Sequence, residues 1–278
     1  NQIERIHIEV PENDPTMHNK LKREYKAKIS FLKSQIELSQ EHGIEPAPPT
    51  RQSTIHLTPA KNLADYQDSL RPFMKTVKQH SQPYLKEIDN NVMQYRMFRG
   101  LRGTNATTMT GRVRLSGRDP LSTGRDVHRY INRYFQVRYR EPFRDSMFVS
   151  GKADFAKDYG DLFLVFPREE FTFIWSPNVT DMFDIDGDID ASMHPNNDDD
   201  AVVNINSFFK YMDTLKYQTT DIKAALKSEK EIMIRTQAYY GINLTEFFNR
   251  DDYDDESRGN QDEINTAINL IQGLLDEN

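Results

Sequence analysis

The stretch Ser228-Glu229-Lys230-Glu231-Ile232-Met233-Ile234-Arg235 constrains this chain more than any other. Two carboxylates two residues apart run into an alternating apolar segment that continues to Tyr239-Tyr240-Gly241-Ile242. Side chains on a strand repeat with period two, so a strand here predicts Glu229 and Glu231 on one side. Two carboxylates converging at the lip of a sheet are costly unless a cation or a polyol sits between them. That arrangement is the first candidate for a site. The plainer alternative is an edge strand that carries charge to prevent pairing, with Lys230 on the opposite side.

The surrounding chain is long enough for a substantial core: 278 residues allow one large domain or two smaller ones. A mean hydropathy of −0.77 requires a strongly polar surface or tail, whereas 16 Phe and 13 Tyr argue against wholesale disorder. No apolar run reaches the ~18–20 residues that span a bilayer. No charged-apolar-small signal segment opens the chain, which starts on Asn1 rather than Met, as a processed chain or a piece of a longer one does. Cysteine is absent, which excludes disulfides, thiol catalysis and cysteine metal sites. The net charge of −7 conceals an asymmetry: residues 96–144 hold twelve Arg and no Lys, and residues 181–200 hold eight Asp and no Lys or Arg. An Arg-only segment suggests bidentate recognition of phosphate or carboxylate; the alternative is a solvated basic face balanced by the acidic loop.

Periodicity orders the chain as helices first and then mostly strands, which makes the fold class α+β rather than a doubly wound parallel sheet. Residues 1–55 read as an N-terminal helical arm followed by a Pro-rich linker. Its apolar stripe over residues 16–42 offers a face to a helical partner. A domain over residues 56–278 ends in an acidic segment and a helix carrying Ile264, Ile268, Ile271, Leu274 and Leu275. Within it, Thr58-Pro59 starts a helix with Tyr66, Leu70, Phe73, Met74 and Val77 on one stripe. Strand character runs over Val92–Leu101, Ser146–Ser150, Leu162–Pro167 and Phe171–Trp175. Residues 102–120 read as a Gly-, Thr- and Arg-rich loop, and residues 179–200 as an acidic one.

Three separated pieces then stand in a recognisable order. They are Phe98-Arg99-Gly100-Leu101; Phe148-Val149-Ser150 followed by a helix with Ala156 and Tyr159-Gly160; and Glu229-Lys230-Glu231 leading into the apolar strand. This resembles the mono-ADP-ribosyltransferases of the Arg/Ser/Glu-x-Glu class over roughly residues 56–245. It is also similar to the members that tailed bacteriophages encode. The resemblance implies two small β-sheets flanking an NAD cleft, with NAD as donor substrate and no metal. It implies an acceptor protein, modified on a side chain and most simply on arginine, and, for a viral member, a host protein in the host cytoplasm reached by an enzyme made there or carried in a virion. Transfer from NAD passes through an oxocarbenium-like state, as glycoside cleavage does. Glu231 matches the carboxylate that accepts the ribose hydroxyl, and Glu229 the one that contacts the acceptor guanidinium. Ser150 matches the residue that orients Glu231, and Arg99 the ligand of the NAD phosphates or ribose, with Arg96 three residues earlier as its rival. Gly100, Phe148, Gly151 and Tyr159 complete the implied NAD-binding set, and Lys152, Arg102 and Arg118 are further phosphate candidates. The sequence departs from the family where Ser-Thr-Ser is usual: Ser150-Gly151-Lys152 lacks the next two hydroxyls.

Other readings compete. Ser150 fits a helix cap for Ala153 onward. Trp175 suits a core as well as a stacking pocket. Asp184 to Asp190 has its Gly fourth, not sixth as an EF-hand loop needs. The same domain with water as acceptor is an NAD glycohydrolase. An inactive virion-structural or nucleic-acid-binding protein would use the Arg-rich face and its interleaved aromatics instead.

Overall fold

The computed structural model describes residues 53–55, 63–103, 106–117, 124–194, 203–248 and 261–277. The expected arm over residues 1–42, its linker, the Thr58-Pro59 helix start, Arg118 and the acidic segment 249–260 lie outside them. β1, Ser53–Ile55, pairs with a later strand, so the sheet begins before the boundary expected at residue 56. In α1, Leu63–His80, Tyr66, Leu70, Phe73, Met74 and Val77 are all buried, as their spacing predicts. α2, Gln82–Glu87, takes Pro83 in its first turn, where the missing N–H has no helical partner to lose. β2, Phe98–Leu101, is shorter than expected. The chain ahead of it is turned back by Asn91, whose Oδ1 accepts the Gln94 N–H at 3.0 Å and whose carbonyl accepts the Tyr95 N–H at 3.1 Å.

β3, Thr108–Arg112, occupies the segment expected to be loop. After α3, Arg125–Tyr139, come β4, Met147–Val149, α4, Ala153–Lys157, β5, Asp161–Pro167, and β6, Thr172–Trp175. The first part of the expected acidic loop is folded, as a 3₁₀ turn over Met182–Ile185 running into α5, Asp186–Met193. The Asp181 carboxylate caps the turn by accepting the Phe183 N–H at 2.9 Å. Met182, Ile189 and Met193 bury the other face. α6, Ile205–Thr214, and α7, Ile222–Lys227, are capped by Asn204 and Asp221. β7, Ile232–Arg235, β8, Ala238–Asn243, α8, Leu244–Phe248, and α9, Gln261–Asp276, complete the described chain.

The described residues are α+β, with two antiparallel sheets. One has the order β1-β3-β8-β5-β2 and the other β4-β7-β6. β5 lies between β8 and β2, and residues 162–167 are all buried, which is why its apolar run does not alternate. Among the described residues the sheets meet at one bridge, where Phe98 and Ser150 exchange N–H···O bonds of 2.7 and 3.0 Å. The path β6-β7-β4 therefore runs on through β2-β5-β8, split between β4 and β2.

Period two decides which core each side chain joins. Ile232 and Ile234 of β7 enter the core that α1, α2 and α9 form with the larger sheet, while Met233 enters the core of α3, α5 and α6. In the same way Met147 and Val149 face the first core, and Phe148 packs against the second. The three-stranded sheet is thus covered on both faces, and residues in step with Met233 and Phe148, such as Glu231 and Ser150, belong to the second face. Among the described residues no helix is long and apolar enough to cross a membrane.

Candidate functional site

Register brings the distant pieces together. Val149 pairs with Ile232, so the next position outward sets Ser150 against Glu231, and Ser150 also bridges to Phe98, the residue before Arg99. Arg99, Ser150 and Glu231 accordingly sit at adjoining strand ends where the sheet splits. The expected strand over the two carboxylates is not formed. β7 starts at Ile232, and Glu229 stands in a turn with a φ of 59°. The physical reason is α7, which runs to Lys227 and leaves four residues to reverse the chain before β7. Ser228 Oγ donates to the Ala225 carbonyl at 2.6 Å and accepts the Lys230 N–H at 3.4 Å.

The two carboxylates consequently meet different surroundings. Glu229 is 60% exposed, 3.5 Å from Lys152 Nζ. Glu231 has a side chain only 10% exposed, with Arg144 Nη1 3.8 Å from its Oε1. Its backbone N–H donates to the Thr180 carbonyl at 2.9 Å, so the loop after β6 fixes the position of its Cα. Tyr159, 43% exposed, donates its hydroxyl to Asp181 at 2.6 Å and links α4 to that loop. Burial, with the Asp181 and Glu231 charges adding to it, pushes the Tyr159 phenol well above its ordinary range. Tyr217 is raised by burial first and then by the Glu231 charge. Tyr217 donates its hydroxyl to Met182 Sδ at 3.7 Å.

Arg144 was not singled out as a site residue by the sequence. Its guanidinium lies 4.9 Å above the Phe148 ring, so Phe148, expected to bind NAD, is the platform for the cation beside Glu231. Ser150 is fully buried and its Oγ accepts the Lys152 N–H at 3.1 Å, turning the chain into α4.

Two glycines of the expected NAD set serve packing. A Cβ at Gly151 would fall inside the carbonyl of Leu226 at the end of α7, and one at Gly100 would strike the Ala156 carbonyl and Tyr159. At Gly151 the backbone of α7 fills the space that a Thr side chain would need.

The two arginine rivals separate cleanly. Arg96 Nε donates to the Met93 carbonyl at 3.0 Å, and partial burial lowers its pKa from the usual arginine value. Arg99 reaches across β5 to lie 5.0 Å over the Tyr239 ring of β8. With Arg112, Arg114 and Ser146 it lines an open cavity of about 240 Å³. Arg112 and Arg114 belong to the Arg-only segment, but their convergence with Arg99 needs β3 beside β8, which that segment's loop-like composition conceals. Arg102 is exposed in a bend after β2. Trp175 is core, donating its indole N–H to the Thr220 carbonyl at 3.0 Å.

The cavity begins at Ser146 and Met147, and Glu231 stands opposite Ser150, so roughly 10 Å of strand separates them at 3.3 Å per residue. The volume is below the ~300–1,000 Å³ of pockets that enclose a whole small ligand. Its three guanidinium groups suit an anionic fragment. Among the described residues, no group of three or more His, Asp or Glu is placed to hold a metal ion. Comparison with protein-family models, curated proteins and solved structures gives no match.

Proposed function

We propose that this protein transfers ADP-ribose from NAD to a protein side chain, with arginine as the acceptor. One observation carries the reading. The Val149–Ile232 register and the Phe98–Ser150 bridge bring Arg99, Ser150 and Glu231, which are far apart in sequence, to adjoining strand ends, with Arg99 itself lining an arginine-rich cavity. The two-sheet α+β architecture is compatible with an ADP-ribosyltransferase fold, and the split between β4 and β2 is the natural place for its NAD cleft.

The residues present suit the donor. Arg99, Arg112 and Arg114 offer guanidinium forks to a diphosphate. In this reading Glu231 accepts a ribose hydroxyl, and its charge opposes the positive charge that grows on the ribose. The nicotinamide–ribose C–N bond breaks, its electron pair leaving with nicotinamide. The acceptor nitrogen then forms a new C–N bond at the same carbon, and Glu229 takes the proton that the nitrogen gives up. The exposed Glu229–Lys152 pair must open for this. Were Lys152 to keep Glu229 occupied, water would be the acceptor and the enzyme an NAD glycohydrolase.

The deciding experiment incubates the protein with labelled NAD, with and without lysate, beside Glu231→Gln. Label on lysate proteins, reduced by about 10²–10³ in the mutant, supports the transferase. Free nicotinamide without protein label assigns the glycohydrolase. No turnover and no NAD binding sinks the reading, and salt-dependent nucleic-acid binding through the three arginines then takes its place.

A further inference from the structure

We propose that Arg144 positions the Glu231 carboxylate for the reaction, an inference that rests on the function proposed above. Both side chains are nine-tenths buried and their charged ends lie 3.8 Å apart. At that burial a fixed opposite charge decides how the carboxylate is held.

Arg144 is itself held from several sides. Its guanidinium rests 4.9 Å over the Phe148 ring. Its backbone N–H donates to Asn132 Oδ1 on α3 at 2.8 Å. The next residue, Asp145, lies 3.3 Å from His128 Nε2, also on α3. Arg235, at the far end of β7 from Glu231, donates to the Pro142 and Asp145 carbonyls at 3.0 and 3.2 Å. The loop carrying the guanidinium is thereby tied to the strand whose other end leads out of Glu231. A planar fork fixed in this way fixes the direction of a carboxylate, which a flexible ammonium does less well.

The family resemblance gives the orienting role to Ser150, whose hydroxyl here accepts the Lys152 N–H. Arg144 supplies the orienting charge from the loop that leads into the same strand. The Glu231 oxygen nearer Arg144 is Oε1. Arg144 touches neither donor nor acceptor in this scheme. It acts through Glu231.

The test measures NAD cleavage and NAD affinity of the full chain for wild type, Arg144→Gln, Arg144→Lys and Phe148→Leu. The expected result is a kcat reduced about 10–100-fold in Arg144→Gln, with the KM and Kd for NAD within about threefold of wild type. Arg144→Lys should recover part of that kcat, and Phe148→Leu should lose about 3–10-fold. A residue that merely stabilised the fold would instead lower NAD binding and the melting temperature together with kcat. Should Arg144→Gln fail to fold, Arg144→Lys and Phe148→Leu still decide, since wild-type kcat in both overturns the proposal. Unchanged kcat in a folded Arg144→Gln overturns it too. NAD cleavage that requires Glu231 but ignores Arg144 removes this proposal alone, whereas a wild-type protein that cleaves no NAD removes the transferase reading and this inference with it.

Discussion

Gly151→Ala is the sharpest test of how the fold holds the site. The added methyl would occupy the space of the Leu226 carbonyl, and the neighbouring Leu226 carbonyl carbon and Cα are also in the way. All three are backbone atoms of α7, so no side-chain rotation relieves the clash. Either α7 or the end of β4 must retreat by on the order of 1–2 Å to restore ordinary contact. Ala225 and Leu226 are buried and Ser228 is tied to the Ala225 carbonyl, so the retreat disturbs packed groups. Inserting a methylene-sized group into a packed core costs typically 1–3 kcal/mol, and a backbone obstacle places this case at about 3 kcal/mol. Urea unfolding followed by circular dichroism measures it. Gly273→Ala is the control, because the same chemical change there meets nothing within 4 Å on an exposed face of α9. It should stabilise by about 0.5–1 kcal/mol through helix propensity. The two substitutions should therefore differ in sign. A Gly151→Ala protein within 0.5 kcal/mol of wild type would refute the close approach of α7 to β4. Because α7 leads directly into the turn that carries Glu229, NAD turnover should fall as well.

Arg112→Ala and Arg114→Ala should each raise the KM for NAD by about tenfold, or 1.4 kcal/mol, with little change in kcat; unchanged affinity in both would empty the cavity of its role. Glu229→Gly should leave stability within about 1 kcal/mol of wild type, because relief of a left-handed backbone offsets glycine's entropy and a weak exposed ion pair. Protein labelling should meanwhile fall at least tenfold, and retention of full labelling would rule out the acceptor role of that carboxylate. Asp186 has its pKa raised by burial first, an effect that Arg144 opposes. A carboxyl raised on folding favours the folded state when protonated and loses that contribution as pH rises through its folded value. Asp186→Asn should accordingly be more stable than wild type at pH 7 and equal to it below the ordinary carboxylate range. Parallel melting curves across pH 3–8 check this, and a difference that grows in acid would contradict it.

Long segments were legible because one-dimensional periodicity carries their physics. The stripe from Tyr66 to Val77, the apolar run of β5 and the last helix all follow from burying one face or one strand. Asp181 and Asp184–Asp190 were harder, since acidic composition suggested a solvated loop while Met182, Ile189 and Met193 supplied enough buried surface for a folded turn and helix. β3 was hidden for a related reason. Thr108-Met109-Thr110 has strand character only weakly, and its pairing partners lie in β1 and in β8, more than a hundred residues downstream.

Sequence by itself determined the α+β class, the chemistry available at Glu229, Glu231, Arg99 and Ser150, and the absence of thiol chemistry. Tertiary structure decided where those groups sit. It put Glu231 at the head of a strand and Glu229 in a strained turn, because α7 ends only a few residues earlier. It gave Gly151 to the backbone of α7 and turned the Ser150 hydroxyl toward α4. It sent Arg99 across the sheet to the arginine-lined cavity, while Arg96 closes a local turn on the Met93 carbonyl. It also brought Arg144 to Glu231. A contact between a loop and a strand end 87 residues apart leaves no trace in local pattern, because it depends on strand register and on the Phe148 ring beneath the guanidinium.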